Sequence, residues 1–131
     1  MKEKIKVLLA EDELTLAMII KDTLEEDDFI LTIAANGEEG LRMFFDIRPD
    51  VLVADVMMPK MDGIELCQRV KSNIQTSHTP FILLTARTSD ESKMEGYEAG
   101  ADSYISKPFS FELLCICLLY TSPSPRDRQK S

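Results

Sequence analysis

The chain has 131 residues, 44% of them hydrophobic, and a formal net charge of −8. Its length predicts one domain with its own core, and its acidic balance argues against direct nucleic-acid binding, because phosphate recognition needs a basic surface. No stretch is long enough to cross a membrane. Three cysteines without a CxxC pair and a single histidine argue against structural zinc and favour a reducing, cytoplasmic location.

Five short segments rich in apolar or β-branched residues predict strands. The first, IKVLLA, is bounded by charges, as expected for a strand buried on both faces. The five segments cover residues 5–10, 29–34, 50–55, 81–85 and 102–106. Because they alternate with helical segments, the pattern predicts an α/β fold with a parallel sheet covered on both faces and right-handed crossovers.

The segments between the strands carry helical signals. Asn36 and Asp62 are each followed three residues later by glutamate, which predicts capped N-termini for the second and third helices. A polar helix at about 90–99 is closed by Gly100, and Ser110 is a predicted cap for the last helix. Helical spacing predicts the inner faces of the first three helices to be Leu14, Ala17, Ile20 and Leu24, then Leu41, Phe44 and Phe45, then Ile64, Cys67 and Val70.

Residues 117–131 differ from the rest of the chain. This segment, CLLYTSPSPRDRQKS, is rich in Ser, Pro and Arg after Tyr120 and has no apolar periodicity, which is typical of a disordered tail or linker. The stretch CLLYTSPSPRD also resembles a translated transposon sequencing adapter. We therefore expect a domain over residues 1–116, with its last helix truncated near Ile116, and a non-native or disordered tail over residues 117–131.

Carboxylates gather at the carboxyl ends of two predicted strands. Glu11 and Asp12 follow the first strand, and Asp55 ends the third. In a doubly wound parallel sheet, ligands bind at this edge, where the strand order reverses. Three carboxylates so close together are costly without a cation. Oxygen ligands of this kind favour a hard divalent ion, and Mg²⁺ suits a site with few protein ligands.

A hydroxyl and an ammonium group lie at two further strand ends. Thr85 ends the fourth strand and Lys107 follows the fifth, so the pocket has the groups needed for phosphoryl transfer to a carboxylate. Each residue alone has a simpler explanation: Asp12 as a helix cap, Thr85 as a strand residue and Lys107 as a surface lysine. Their joint placement favours the site.

Four motifs identify a family. AEDE (10–13), DVMMPKMDG (55–63), LLTA (83–86) and SKPF (106–109) resemble the motifs of receiver domains of two-component response regulators. The resemblance extends from residue 5 to about residue 116, with the motifs in the order found in that family. It implies a flavodoxin-like (βα)5 fold, a doubly wound parallel sheet with strand order 2-1-3-4-5.

The resemblance also assigns a phosphoacceptor and a metal site. It makes Asp55 the residue that accepts the phosphoryl group. It implies that Mg²⁺ is bound by Glu11, Asp12, Asp55 and the backbone carbonyl of Met57. These roles follow from the family and are not worked out from spacing.

Three further residues take roles from the same resemblance. Lys107 is expected to contact the phosphoryl group, with a cis peptide bond to Pro108. Thr85 is expected to donate a hydrogen bond to a phosphoryl oxygen. Tyr104 is expected to turn inward on activation, as part of a two-state switch, although an aromatic residue in a strand is more simply explained by packing.

The function implied is that of a signalling switch rather than an enzyme. A sensor histidine kinase is the expected phosphoryl donor, and either a C-terminal DNA-binding output domain or a hybrid kinase is the expected context. The expected readout face, which is also a candidate homodimer interface, consists of the polar helix at about 90–99, the fifth strand and the last helix.

One alternative is a Mg²⁺-dependent phosphohydrolase with an aspartyl-phosphate intermediate. Another is a phosphorylation-independent interaction module, against which the complete acidic, Thr and Lys set argues.

Met57 and Arg87 lie two residues after Asp55 and Thr85, where a hydrolytic water would approach. Met57 is long and apolar, so one interpretation is that it hinders water and slows loss of the phosphoryl group. The other is that it fills loop space. The sequence favours neither.

Overall fold

One five-stranded parallel sheet lies at the centre of the computed structural model, which describes residues 4–86, 94–95 and 97–121. The strand order is β2-β1-β3-β4-β5, as predicted. In chain order the elements are β1 (Ile5–Ala10), α1 (Leu14–Glu25), β2 (Phe29–Ala34), α2 (Gly37–Ile47), β3 (Val51–Asp55), α3 (Gly63–Ser72), β4 (Phe81–Thr85), β5 (Ser103–Ser106) and α4 (Phe111–Thr121). The polar helix predicted at about 90–99 lies partly outside the described residues, and Met94, Glu95, Tyr97 and Glu98 are helical.

Two apolar cores lie on opposite faces of the sheet, because successive side chains of a strand point to opposite faces. Val7 and Leu9 of β1 belong to the core beneath α1 and α4, whereas Leu8 and Ala10 belong to the core beneath α2 and α3. β3 and β4 are buried at every position. Helices on both faces of a parallel sheet form the doubly wound α/β architecture expected from the sequence.

Three predicted helix caps are present. Asn36 Oδ1 accepts from Glu39 N at 2.9 Å, Asp62 Oδ1 accepts from Glu65 N at 2.8 Å, and Ser110 Oγ accepts from Leu113 N at 3.0 Å. The first helix is different: its N-cap residue is Glu13, which makes no side-chain capping bond. Capping therefore does not explain Asp12.

The predicted inner faces need three corrections. Leu14, predicted on the inner face of α1, is 67% exposed, whereas Ala17, Ile20 and Leu24 are buried. Phe45 is 40% exposed, because the inner face of α2 is occupied by its neighbour Phe44. The Phe45 ring packs edge-on against Phe44 and lies under the guanidinium of Arg48. On α3, Leu66 is buried together with Cys67 and Val70, so the inner face includes a residue that was not predicted. Ile64, which was predicted on this face, is only half-buried.

The last described helix passes through the predicted domain boundary. α4 continues to Thr121, and Leu118 is fully buried in the core beneath α1 and α4. Residues 122–131 lie outside the described residues, so the non-native or disordered tail over 117–131 stays a prediction. None of the described helices has the length and apolar character needed to span a membrane.

Candidate functional site

The strand register brings the predicted site residues to one edge of the sheet. Ala10 of β1 pairs with Ala54 of β3, so the residues that follow, Glu11 and Asp55, lie side by side. Parallel strands of similar length end at the same edge, and β4 and β5 end together because Thr85 pairs with Ser106. The apolar strands thus hold the polar residues that follow them in fixed positions.

Glu11, Asp12 and Asp55 form an acidic cluster. One carboxylate oxygen from each residue lies within 4.8 Å of those of the other two. Glu11 and Asp55 are only 2% and 6% exposed, whereas Asp12 is exposed. Three carboxylate donors converging on one point, two of them buried, form a ligand set that fits a hard divalent cation such as Mg²⁺.

Lys107 bridges the two buried carboxylates. Its ammonium donates to Glu11 Oε1 at 3.2 Å and to Asp55 Oδ2. Burial alone would lower the pKa of Lys107, but the hydrogen bond and charge of Asp55, together with the charge of Glu11, outweigh it and raise this pKa above its ordinary value. Lys107 therefore carries the positive charge that offsets part of the acidic cluster.

Glu11 has an unusual environment for a carboxylate. Burial, joined by the neighbouring Asp55, raises the pKa of Glu11 to about 7, although the hydrogen bond that Oε2 accepts from Glu13 N at 3.1 Å opposes the shift. A carboxyl group whose pKa lies this close to neutral pH is destabilised in its charged form. A cation in the cluster would relieve that cost.

The loop after β3 positions Asp55 through its backbone. Met57 N donates to Asp55 Oδ1 at 2.9 Å, so each oxygen of this carboxylate accepts a hydrogen bond. The Met57 side chain is 57% exposed at the mouth of the site. Arg87, the other residue expected near the path of a hydrolytic water, lies outside the described residues.

Gly63 contributes to the site in a way that the sequence analysis missed. A Cβ atom on Gly63 would lie 2.3 Å from the carbonyl oxygen of Asp55, and Gly63 N donates to Val56 O at 3.0 Å. Only glycine allows the start of α3 to pack this closely against the backbone of the phosphoacceptor candidate. The available signal is the Asp-Gly pair after the strand, which predicts a helix start at Asp62 and a loop shaped by Gly63 with no chemical role.

The ends of β4 and β5 are tied together beside this cluster. Thr85 is fully buried, and its carbonyl accepts from Lys107 N at 2.6 Å. The peptide bond between Lys107 and Pro108 is cis, as predicted. The backbone thus fixes the start of the loop whose lysine reaches Asp55.

Tyr104 lies on β5, which β4 separates from the strand that carries Asp55. Its ring is half-buried against the core beneath α2 and α3 and lies 6.1 Å from the ring of Tyr97. The hydroxyl is buried, and within the described part of the chain it has no hydrogen-bond partner. An unsatisfied buried hydroxyl is costly. A different position of the ring that gave the hydroxyl a partner would remove this cost.

Known proteins resemble this chain in both sequence and fold. The family model for the response regulator receiver domain matches residues 7–118. The chain is 47% identical over 109 residues to histidine kinase P4 of Formosa agariphila, covering 83% of this chain and 8% of the kinase. It is 41% identical over 114 residues to the transcriptional regulatory protein RprY of Bacteroides fragilis, covering 87% of this chain and 48% of that regulator.

A solved receiver structure superposes over most of the molecule. The receiver domain of the Francisella response regulator 1452 is 39% identical, with a TM-score of 0.84, and the match covers 90% of this chain and 96% of that one. The chain spans less than half the length of the curated relatives named above. The family model, the sequence identities and the shared fold point to the same family, and the chain belongs to the response regulator receiver domain family.

Proposed function

We propose that Asp55 is the phosphoacceptor of this receiver domain and that a histidine kinase is its phosphoryl donor. One observation supports this most directly. The Lys107 ammonium, the Met57 amide and two further carboxylates, Glu11 and Asp12, all converge on the Asp55 carboxylate. Among the described residues, no carboxylates other than these three form such a cluster.

The transfer step uses Asp55 as the nucleophile. One carboxylate oxygen attacks the phosphorus of a phosphohistidine, a P–O bond forms, the P–N bond breaks, and the imidazole nitrogen keeps the electron pair and takes a proton. The Met57 amide orients the carboxylate through Oδ1. Lys107 leaves Asp55 and pairs with the incoming phosphoryl oxygens, so its charge is used where negative charge develops.

Glu11, Asp12 and Asp55 are the proposed ligands for Mg²⁺, with the backbone carbonyl of Met57 as the fourth protein ligand. When bound, this ion would neutralise charge on the phosphoryl oxygens. The raised pKa of Glu11 and the crowded carboxylates are the features of this chain that fit it. Thr85 and Tyr104 are the proposed switch residues, the hydroxyl of Thr85 binding a phosphoryl oxygen and the ring of Tyr104 following it.

The partners are proposed on the same basis. The relatives are a histidine kinase and a transcriptional regulatory protein, so we propose that this domain serves either a hybrid kinase or a regulator with a DNA-binding output domain. The proposed readout and dimer face consists of the helical residues around Tyr97, β5 and α4.

Cys67, Cys115 and Cys117 are free thiols, which supports a reducing, cytoplasmic location.

The phosphohydrolase alternative has less support. Such enzymes usually place a second acidic residue two positions after the nucleophile, and here that position is the apolar Met57. Promotion of its own dephosphorylation is the hydrolytic activity that we propose for this chain.

Phosphorylation with acetyl phosphate and Mg²⁺, followed by intact-mass measurement, tests the proposal. We expect one phosphoryl group on the parent and on Asp46→Asn, an exposed carboxylate of α2 that serves as the control. We expect none on Asp55→Asn. Equal labelling of the parent and Asp55→Asn, or no labelling of the parent, would refute the assignment.

A further inference from the structure

Two side chains of α1 bond to the backbone at the outer edge of β2. β2 is the first strand in the sheet order, and the bonds Ile5 N to Asp28 O and Glu11 N to Ala34 O show that even-numbered residues at β2 face β1. Leu31 is odd-numbered and lies between them, so its N–H and C=O point away from β1, toward the outer edge.

Both outward groups of Leu31 are bonded to α1. Leu31 N donates to Glu25 Oε2 at 3.1 Å, and Leu31 O accepts from Lys21 Nζ at 3.2 Å. Lys21 and Glu25 are one helical turn apart and pair with each other at 2.8 Å. The two side chains thus occupy the positions that the backbone groups of another strand would take.

The strand that they cover is suited to pairing with another strand. Its sequence, FILTIA, has no charge and no proline, and Ile30 is 46% exposed. Uncharged β-rich segments at a sheet edge are sites of strand addition between chains. The charged groups that bond to its outward-facing backbone at Leu31 are those of Lys21 and Glu25.

We propose that the Lys21–Glu25 pair closes the outer edge of β2 against strand addition by a second copy of this chain. The partner segment would be β2 of that copy, because a two-fold arrangement places identical edges together in antiparallel orientation. Phosphoryl transfer at Asp55 is a separate property, so this proposal does not depend on it.

The test compares three variants of the full chain by sedimentation equilibrium over a range of concentrations. Lys21→Ala/Glu25→Ala removes the pair. Glu65→Ala/Arg69→Ala removes an exposed i,i+4 pair of α3 with an N–O distance of 3.4 Å and serves as the matched control. The third variant adds Ile30→Lys to the first, placing a charge on the exposed edge strand.

We expect the first variant to self-associate about tenfold more tightly than the parent, the control to match the parent, and Ile30→Lys to reverse the gain. Association equal to that of the parent, or a gain that Ile30→Lys leaves unchanged, would overturn the proposal. Should the double variant fail to fold, amide exchange at Leu31 in Lys21→Ala and in Glu25→Ala decides instead. We expect the Leu31 amide of these variants to exchange faster than that of the parent at low protein concentration and to be protected again at high protein concentration. An exchange rate that does not depend on protein concentration would overturn the proposal.

Discussion

The Lys107 ammonium donates to the carboxylate of Asp55, joining the loop after β5 to the end of β3 at the acidic edge of the sheet. The same ammonium contacts the buried Glu11. One cation therefore offsets two buried carboxylates, and in the proposed mechanism it is also the group that binds the phosphoryl group on Asp55.

Replacing Lys107 tests this relationship. Lys107→Met should slow phosphorylation of Asp55 by acetyl phosphate by roughly 10²-fold, since loss of one group that stabilises developing charge costs on this order. The measurement is the initial rate of phosphoprotein formation by intact mass. Lys6→Met, which removes an exposed cation on β1, should react like the parent. A Lys107→Met rate equal to that of the parent would remove Lys107 from the mechanism.

Asp12→Asn should have opposite effects with and without Mg²⁺. In metal-free buffer, removing one of three clustered negative charges should raise the melting temperature, because like charges at this distance repel. Added MgCl₂ should stabilise the parent by mass action and stabilise Asp12→Asn much less. Thermal melts with and without the salt measure both effects.

Asp62→Asn is the control for Asp12→Asn. It also removes one negative charge near the site, but asparagine caps a helix about as well as aspartate does. Its response to MgCl₂ should match that of the parent. A full Mg²⁺ response in Asp12→Asn would exclude Asp12 as a ligand.

Met57→Asn should shorten the lifetime of the phosphoryl group. The exposed apolar side chain lies beside Asp55, and an amide in its place would accept and orient a water molecule. Decay of the phosphoprotein after removal of acetyl phosphate measures the rate, which should rise several-fold. Met18→Asn, on the exposed side of α1, controls for added polarity. An unchanged decay rate would leave Met57 as a residue that fills loop space.

The sheet could be predicted from the sequence because each strand is a short apolar segment between polar ones. The predicted ranges for β1, β2 and β4 agree with the structure, and those for β3 and β5 start one residue early. Helix starts were predictable where a capping residue made a local bond, as at Asn36. Adjacent phenylalanines were harder, because Phe44 and Phe45 differ in burial only through the rotation of α2.

The contacts within the site depend on topology more than on local sequence. Lys107 is 52 residues from Asp55 and 96 from Glu11, so only the strand order brings them together. That order came from the family resemblance. Lys21 and Glu25 look like ordinary surface charges in the sequence, and their bonds to Leu31 follow from the packing of α1 against β2.

A polar contact at the start of β4 should matter for stability rather than for signalling. Asp102 Oδ2 accepts from Phe81 N and from Lys71 Nζ, each at 2.8 Å, so it joins the start of β4 to α3. Asp102→Ala leaves the amide of the buried Phe81 without this acceptor, which should cost about 1–3 kcal/mol. Urea unfolding measures the loss. Glu98→Ala, at an exposed position nearby, should change stability little, and an equal effect of the two substitutions would contradict this role.

Glu25 should make stability depend on pH. Lys21 holds the pKa of Glu25 below its ordinary value of 4.5, with help from the Leu31 amide and from Lys4. Because this pKa is lower in the folded state, the stabilisation is present above pH 4.5 and is lost as the pH falls through the folded value. The stability difference between the parent and Glu25→Gln, measured by urea unfolding, should therefore be largest near neutral pH and shrink below about pH 4.5. Glu26→Gln, an exposed neighbour, controls for the loss of charge. A difference that stays constant over this range would show that the charge of Glu25 does not stabilise the edge of β2.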